Sequence, residues 1–391
     1  MTRIGLAYNQ KPDTVPAIRD DVSSRGAEES HFSPGGTATL SAVLAAHSRR
    51  SGTRISDADA PFETPDFDGV AVEADDEFAE WDSAETIGAV ERALAALGEV
   101  VRIEATDDFP ERLRTARPDI VFNIAEGLRG PNRESHIPAI CEFYGIPYTA
   151  SDPYTLSLCL DKARTKDVLR ARGVPTAPSV LVESVVDLGD LPAFPVFAKP
   201  VHEGSSKGIT ERNFCRDRQE LAETVSFLLE RYAQPVIVET YLPGAEFTCA
   251  VLGNGHGARV LPLVGLNFSS LPDGALPIYG FEAKWVWDRP ERPLAIFECP
   301  ARISAPLARE IERVTLAAYR ALGCRDWSRI DVRLDAKGAP NVVEVNPLPG
   351  ILPDPQDNSC FPKAARAAGI SYEQLIQHCL RLAAERQGIR I

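Results

Sequence analysis

Asp331, Glu344, Asn346 and Arg329 are the residues of this chain best suited by type and spacing to do chemistry together. They fall in R-I-D-V-R-L-D and E-V-N-P-L-P-G. Alternating apolar residues there (Ile330, Val332, Leu334, then Val343 and Val345) predict two strands joined by the turn residues Asp335 to Pro340. Glu344 and Asn346 are two apart and so point the same way; pairing of the strands as a hairpin would add Asp331 to that face. Two carboxylates and an amide are hard oxygen ligands that suit Mg²⁺ held against phosphate oxygens, and Arg329 would add a fixed positive charge. The same pattern also describes the polar face of a solvated hairpin, so the metal reading needs support from elsewhere in the chain.

A second set of residues lies upstream. The strand Val196 to Lys199 runs into P-V-H-E-G-S-S-K-G-I, a turn able to fold over phosphates. Gly204 and Gly208 permit close backbone approach, Ser205 and Ser206 offer hydroxyl donors, and Lys199 an ammonium. Taken alone, a surface hairpin with a solvated lysine explains this turn better, and it is neither a Walker loop nor a GxGxxG fingerprint. The segment V-I-V-E-T-Y-L-P-G-A-E-F offers Glu239, Leu242 and Glu246 beside an apolar strand, suited to an adenine edge and ribose hydroxyls or to a linker with exposed glutamates.

The elements that must position these residues follow an α/β order. A strand at Ile4 to Tyr8 precedes a Ser-, Gly-, Ala-, Pro- and Asp-rich departure over about 11–79, read as an insertion (a flap, an oligomer arm or partly disordered surface) in which Thr39 to His47 could form a short helix. Helices are predicted at Ser83 to Leu97, Glu111 to Ala116 and Ser135 to Tyr144, alternating with strands at Val100 to Ala105 and Ile120 to Ile124; this order points to a parallel sheet. A second unit starts near Asp161. It has a helix at Lys162 to Arg172, strands at Ser179 to Val182 and Val196 to Lys199, a helix at Asp217 to Tyr232 and a strand at Val236 to Glu239. From Phe247 the chain reads as β-rich with a helix at Ala305 to Leu322, and it closes with a helix at Tyr372 to Glu385.

At 391 residues the chain can hold two or three subdomains. A formal charge of −14 argues against nucleic acid or an anionic membrane as partner. No run is long and apolar enough to span a bilayer, and T-R-I-G-L-A-Y reads as a first strand rather than a signal peptide, so the expected location is the cytoplasm. The eight cysteines are scattered without a CxxC pair and are expected to be buried free thiols.

Taken in order, D-K-A-R-T-K, K-P-V-H-E-G-S-S-K-G-I, V-E-T-Y-L-P-G-A-E-F, E-A-K-W, R-I-D-V-R-L-D and E-V-N-P-L-P-G resemble the ATP-grasp ligases, and within them the D-alanine–D-alanine ligase family. The resemblance runs from about Val121 to the C-terminus. It implies a mixed α/β and α+β protein with an ATP-grasp fold, divided into an N-terminal Rossmann-like pre-ATP-grasp domain (1–150), a small central lid subdomain (151–240) and a C-terminal antiparallel-sheet subdomain (241–391). It further implies ATP as nucleotide, with Lys162 and Lys199 on phosphates and the loop from Gly204 through Ser205 and Ser206 to Gly208 closing over them. Glu239 and Leu242 would hold adenine and Glu246 the ribose. Asp331, Glu344 and Asn346 would bind two Mg²⁺ ions, with Mn²⁺ an acceptable substitute. Lys284 and Arg329 would stabilise the transferring phosphoryl group, Gly350 would supply a backbone N–H to an oxyanion, and Glu85 would meet the first substrate's amino group. A homodimer is what the family suggests.

Departures cluster where a family member meets its amino acids. The segment expected as H-G-x-x-G-E-D-G reads N-I-A-E-G-L-R-G-P-N-R-E-S-H, so Arg133, Glu134 or Glu126 would line the first-substrate pocket differently. Trp285 follows the lysine in place of a tyrosine, Thr240 replaces a hinge lysine, and I-L-P-D-P-Q-D-N-S-C-F replaces the stretch that receives the second D-alanine. A retained reaction on a changed substrate is the expectation: an ATP-dependent carboxylate–amine ligase working through an acyl phosphate, with amino-acid-like small-molecule substrates other than a pair of D-alanines. Authentic D-alanine–D-alanine ligation is the alternative within this class, and a non-catalytic nucleotide-binding regulator the alternative outside it.

Overall fold

A computed structural model of the chain describes residues 1–12, 78, 80–127, 129–288 and 294–391, apart from the side chains of Asp187, Trp285 and Val286. The expected insertion over about 11–79, with its helix at Thr39 to His47, lies almost wholly outside these residues, and the side chain of Trp285 lies outside them too.

The N-terminal elements form the expected parallel sheet. β1 (Arg3–Tyr8) lies between β2 (Glu99–Glu104) and β3 (Ile120–Asn123). The crossover helices α1 (Ala84–Ala95) and α2 (Phe109–Ala116) begin where the sequence provides a stop for the preceding loop. Ser83 caps α1 by accepting a hydrogen bond from the Thr86 N–H, and the helix buries Ile87, Val90 and Leu94. Beyond β1 the chain stays pinned: the Lys11 N–H donates to the Asp82 carbonyl at 2.9 Å and the Asp82 N–H to the Asn9 carbonyl at 3.0 Å. It therefore leaves at Lys11 and is back at Asp82 in adjacent positions.

After α3 (His136–Tyr144), closed by Gly145 with φ 65°, come two helices in immediate succession, α4 (Pro153–Leu160) and α5 (Lys162–Ala171). Asp161 separates them and caps α5 by accepting from the Arg164 N–H, which sets Lys162 at the first position of that helix. The sequence reading missed α4, although Asp152 as its cap and Pro153 at its first turn are ordinary start signals.

The second sheet is antiparallel and comprises β4 (Ser179–Val182), β5 (Val196–Pro200), β6 (Phe214–Cys215) and β7 (Val236–Thr240), ordered β4-β7-β5-β6. Against it packs α6 (Arg218–Tyr232), whose Leu221, Val225 and Leu228 join Val196, Ala198 and Val238 in one core. The glycine-rich turn is the β5–β6 connection.

The third sheet holds β8 (Glu246–Leu252), β9 (Arg259–Val260), β10 (Val264–Leu266), β11 (Phe297–Glu298), β12 (Trp327–Leu334) and β13 (Pro340–Asn346). Its order is β11-β10-β8-β12-β13, with β9 against β8. The amphipathic α7 (Ala305–Ala321) covers one face with Ile311, Val314 and Ala318. Lys284 is carried by a π-helical turn, Glu282–Trp287. A short α8 (Cys360–Ala367), not expected from sequence, precedes α9 (Tyr372–Arg386), which shares a core with α1. Among the described residues no helix is long and apolar enough to cross a membrane. All eight cysteines are free, and six of them are buried.

Candidate active site

Hairpin pairing of β12 with β13 sets Asp331 directly opposite Glu344 and Arg329 opposite Asn346, so strand alternation puts all four on one face. β8 extends that face with Thr248 beside Asp331 and Glu246 beside Arg333. A bulge after Asp331 leaves Val343 without a partner. Arg329 is 3.0 Å from Asp331 and 3.8 Å from Glu344, while Lys162 reaches Glu344 at 2.8 Å from the start of α5. Lys162 also donates to the Glu203 carbonyl at the entrance of the glycine-rich turn.

Glu239 at the end of β7 is the partner of two lysines, Lys199 at 2.7 Å and Lys166 at 2.8 Å. All three are buried. Burial disfavours the Glu239 carboxylate, yet Lys166 and Lys199 outweigh it and hold the carboxyl down at about 2. Burial likewise opposes the charge on both lysines; it prevails at Lys166, whereas Glu239 and Glu344 prevail at Lys199. Glu344 is also kept at about 2, since Lys162, Arg329 and Lys199 overcome its burial. Asp331 goes the other way: burial raises its carboxyl despite Arg329. Burial and then Arg329 push Lys284 down to about 8.

The glycine-rich turn folds over this array. Ser205, Ser206 and Gly208 have φ of 50°, 63° and 67°, and the Ser206 hydroxyl donates to the Tyr279 carbonyl at 3.1 Å. At Gly208 a Cβ would stand 2.8 Å from Pro200 and 2.9 Å from Tyr232, so this glycine serves close packing at the base of the turn. Gly204 approaches the carboxylate of Glu80, which Arg133 meets at 2.9 Å and Lys207 at 3.4 Å.

One cavity of about 470 Å³, a size suited to small molecules, brings these groups together. Lys162, Lys199, Gly204, Ser205, Ser206, Glu239, Leu242, Glu246, Lys284, Arg329, Asp331, Glu344, Asn346 and Gly350 all contribute to its wall. Gly208 is not among its lining residues. Glu85 needs correction: it is exposed at the start of α1, because the helix turns Thr86, Ile87 and Val90 inward, and the acids from this stretch that line the cavity are Glu80 and Asp82. Sequence reasoning also passed over Lys166, Lys207 and Arg333. Lys166 lies four residues after Lys162 on the same helical face, which was a legible clue. Arg333 repeats the two-residue spacing of Arg329 and Asp331 and binds Glu246 at 2.8 Å.

The donor set fits a hard divalent cation. Among the described residues no three His, Cys, Asp or Glu side chains converge as a metal site. Mg²⁺, however, is usually bound by one or two carboxylates completed by water and phosphate oxygens, and Asp331, Glu344 and Asn346 offer that. The buried Oδ1 of Asp331 has no hydrogen bond of good geometry, which leaves a lone pair for such an ion.

Comparison with known proteins agrees with this geometry. Residues 172–381 match the family model described as the D-ala D-ala ligase C-terminus. A D-alanine–D-alanine ligase of Actinobacillus pleuropneumoniae is 37% identical over 302 residues, 76% of this chain and 91% of that protein. The uncharacterized protein y4sG of Sinorhizobium fredii is 36% identical over 268 residues, 68% of this chain and 75% of the other. In fold, the chain resembles the D-alanine–D-alanine ligase from Bacillus anthracis solved with ATP. The TM-score is 0.59 at 23% identity, covering 78% of this chain and 95% of that one. With the parallel sheet, the two antiparallel sheets and the cation-lined cavity between matching elements, the chain belongs to the D-alanine–D-alanine ligase family of ATP-grasp ligases.

Proposed function

We propose that the protein is an ATP-dependent carboxylate–amine ligase that activates an amino-acid-like donor as an acyl phosphate and passes it to an amine, releasing ADP and phosphate. The observation that carries this reading is the convergence of Lys162, Lys199, Lys284 and Arg329 with Asp331, Glu344 and Asn346 on one cavity. A pure nucleotide binder needs no such complement, whereas phosphoryl transfer depends on charge neutralisation and alignment more than on covalent help.

In this mechanism Lys162 and Lys199 exchange their carboxylate partners for nucleotide phosphates. Leu242 and the end of β7 at Glu239 take the adenine, and Glu246 the ribose. Mg²⁺ on Asp331, Glu344 and Asn346, or Mn²⁺ in its place, would neutralise the phosphates and fix the in-line geometry. Lys284 and Arg329 hold the oxygens of the phosphoryl group as it moves to the donor carboxylate. The turn from Gly204 to Gly208, with the Ser205 and Ser206 hydroxyls, closes over the acyl phosphate and keeps water from it. The amine then attacks the acyl carbon, and the Gly350 N–H and Arg329 stabilise the oxyanion until phosphate leaves. The same reading divides the chain at about 150 and 240.

The donor is proposed to differ from D-alanine because Arg133, Glu134 and Glu126 occupy the first-substrate segment. The 37% identical relative named a D-alanine–D-alanine ligase favours the other reading, and one experiment separates them. ADP release from Mg-ATP is measured across paired D- and L-amino acids and simple amines, with mass detection of the product. A condensed product from a pair other than two D-alanines is expected. Turnover with D-alanine alone would make the protein a cell-wall ligase, and ATP binding without ADP release on any pair would refute ligation.

Lys284 adds a pH test. With its ammonium held at about 8, kcat/KM for ATP is expected to fall as pH rises through 8, because the charged form is the competent one. Lys284→Arg should move that decline beyond pH 10, and an unchanged profile would remove Lys284 from the phosphate-binding set.

A further inference from the structure

Five acids contribute to the cavity wall beyond those of the metal hairpin and the nucleotide: Glu80, Asp82, Glu126, Glu134 and Glu203. They are not equivalent. Glu80 is neutralised by Arg133 and Lys207, and Glu203 faces the same two cations at 3.8 and 3.7 Å. Arg133 also donates to the His202 carbonyl at 3.0 Å. Two cations are thus matched by two carboxylates. Glu134 and Glu126 have neither a hydrogen bond nor an ion pair among the described residues. Glu134 is only 8% exposed, on the short turn Arg133–Ser135, yet its carboxyl opens on the cavity.

The energetics show how poorly the protein itself provides for these two acids. Burial, then Glu80, pushes the Glu134 carboxyl up to about 8 against the opposing charges of Arg133 and Lys162. Burial and then Glu134 itself raise Glu126 well above the carboxylate range. An unpaired buried carboxylate is costly, and two neighbouring ones more so, unless a proton or a ligand's positive charge accompanies them. Glu134 stands on the same cavity wall as Lys162 and Glu344 of the phosphate region, and Glu126 lines it together with Glu134, Glu80 and Asp82. A donor whose carboxylate is activated beside Lys162 would therefore direct one positive group to Glu134 and a second toward Glu126. Phosphate would be repelled from this end.

We propose that the acyl donor is a carboxylic acid bearing two cationic groups, a diamino or amino-guanidino acid, with Glu134 and Glu126 as the specificity-determining residues that receive its positive charges. This rests on the ligase reading above, and the experiment separates the two. Binding of ornithine, arginine and alanine, each as D and L forms, is measured by calorimetry in the presence of a non-hydrolysable ATP analogue, and ADP release is then followed with the same donors. A basic donor is expected to bind at least tenfold tighter than alanine and to show at least tenfold higher kcat/KM. Glu134→Gln and Glu126→Gln each replace a carboxyl by its neutral isostere and should keep the fold while cutting that basic-to-neutral ratio at least tenfold; Glu134→Asp should restore most of it. Turnover with alanine at equal or better efficiency, or a ratio untouched by Glu134→Gln, overturns the inference and leaves the ligase reading standing. Tight binding of a basic acid with no ADP release supports the cation site and overturns the ligase reading instead.

Discussion

Exchanging Arg329 for lysine is expected to leave the protein folded and to lower turnover by about a thousandfold, toward the lower end of what an arginine on a transferring phosphoryl group contributes. Lysine keeps a positive charge beside Asp331 and Glu344, so the buried carboxylates stay compensated. It loses the planar fork that can hold a carboxylate and a phosphoryl oxygen at once. Alanine is the less informative choice, because it would strand Asp331 without its cation and confound activity with stability. Asp331→Asn complements the test: an amide keeps the shape of the side chain, and the Mg²⁺ concentration needed for half-maximal rate should rise roughly 10–100-fold. Thermal midpoint and single-turnover rate together decide the matter. If Arg329→Lys turns over at the parent rate, Arg329 is not the residue that stabilises the transferring phosphoryl group.

The largest effect on stability is expected at Glu239. This carboxylate compensates Lys166 and Lys199 together, and the lysines are 1% and 5% exposed. Glu239→Gln would leave two ammonium groups side by side in the interior, at a cost of about 3–5 kcal/mol, the usual penalty for breaking a buried pair. Lys166→Met should cost clearly less, since it leaves Glu239 paired with Lys199. The pH dependence has a defined sign. The folded carboxyl is depressed to about 2 from an ordinary 4.5, so its contribution is complete above pH 4.5 and is lost as pH falls toward 2. Urea midpoints of the two variants at neutral pH check this, and a Glu239→Gln midpoint equal to that of the parent would show that the lysines are neutral in the folded state.

The hairpin face was legible because strand alternation is a local rule: residues two apart share a side whatever else the chain does. Arg329, Asp331, Glu344 and Asn346 needed only one assumption, that two adjacent strands pair, and the turn residues from Asp335 justified it. Lys166 with Glu239, and Arg333 with Glu246, are joined across long stretches of chain, and no local pattern marks such a pair. Glu85, at the start of the first amphipathic helix, was assigned from the family resemblance. The cap at Ser83 sets its orientation, and that orientation exposes it, while Glu80 enters the cavity from the irregular approach to that helix. The helix Cys360–Ala367 escaped notice because it is short and has a proline in its first turn, a position where proline is tolerated.

The pinning of Lys11 against Asp82 makes the polypeptide between them a topological detour. A detour whose two ends are already clamped adds little to the entropy of closing it when it lengthens, only about 0.6 kcal/mol for each doubling. A change of length between these ends can leave the bonds of Asn9, Lys11 and Asp82 in place. That freedom stops at Glu80, because the last residues of the detour are also part of the cavity wall. Because Gln10 and Asp82 pair in parallel, a shortened chain would still need a crossover of about a dozen residues between residues 11 and 80 to preserve the clamp, whereas a deletion that reaches Glu80 would remove the carboxylate that meets Arg133 and Lys207.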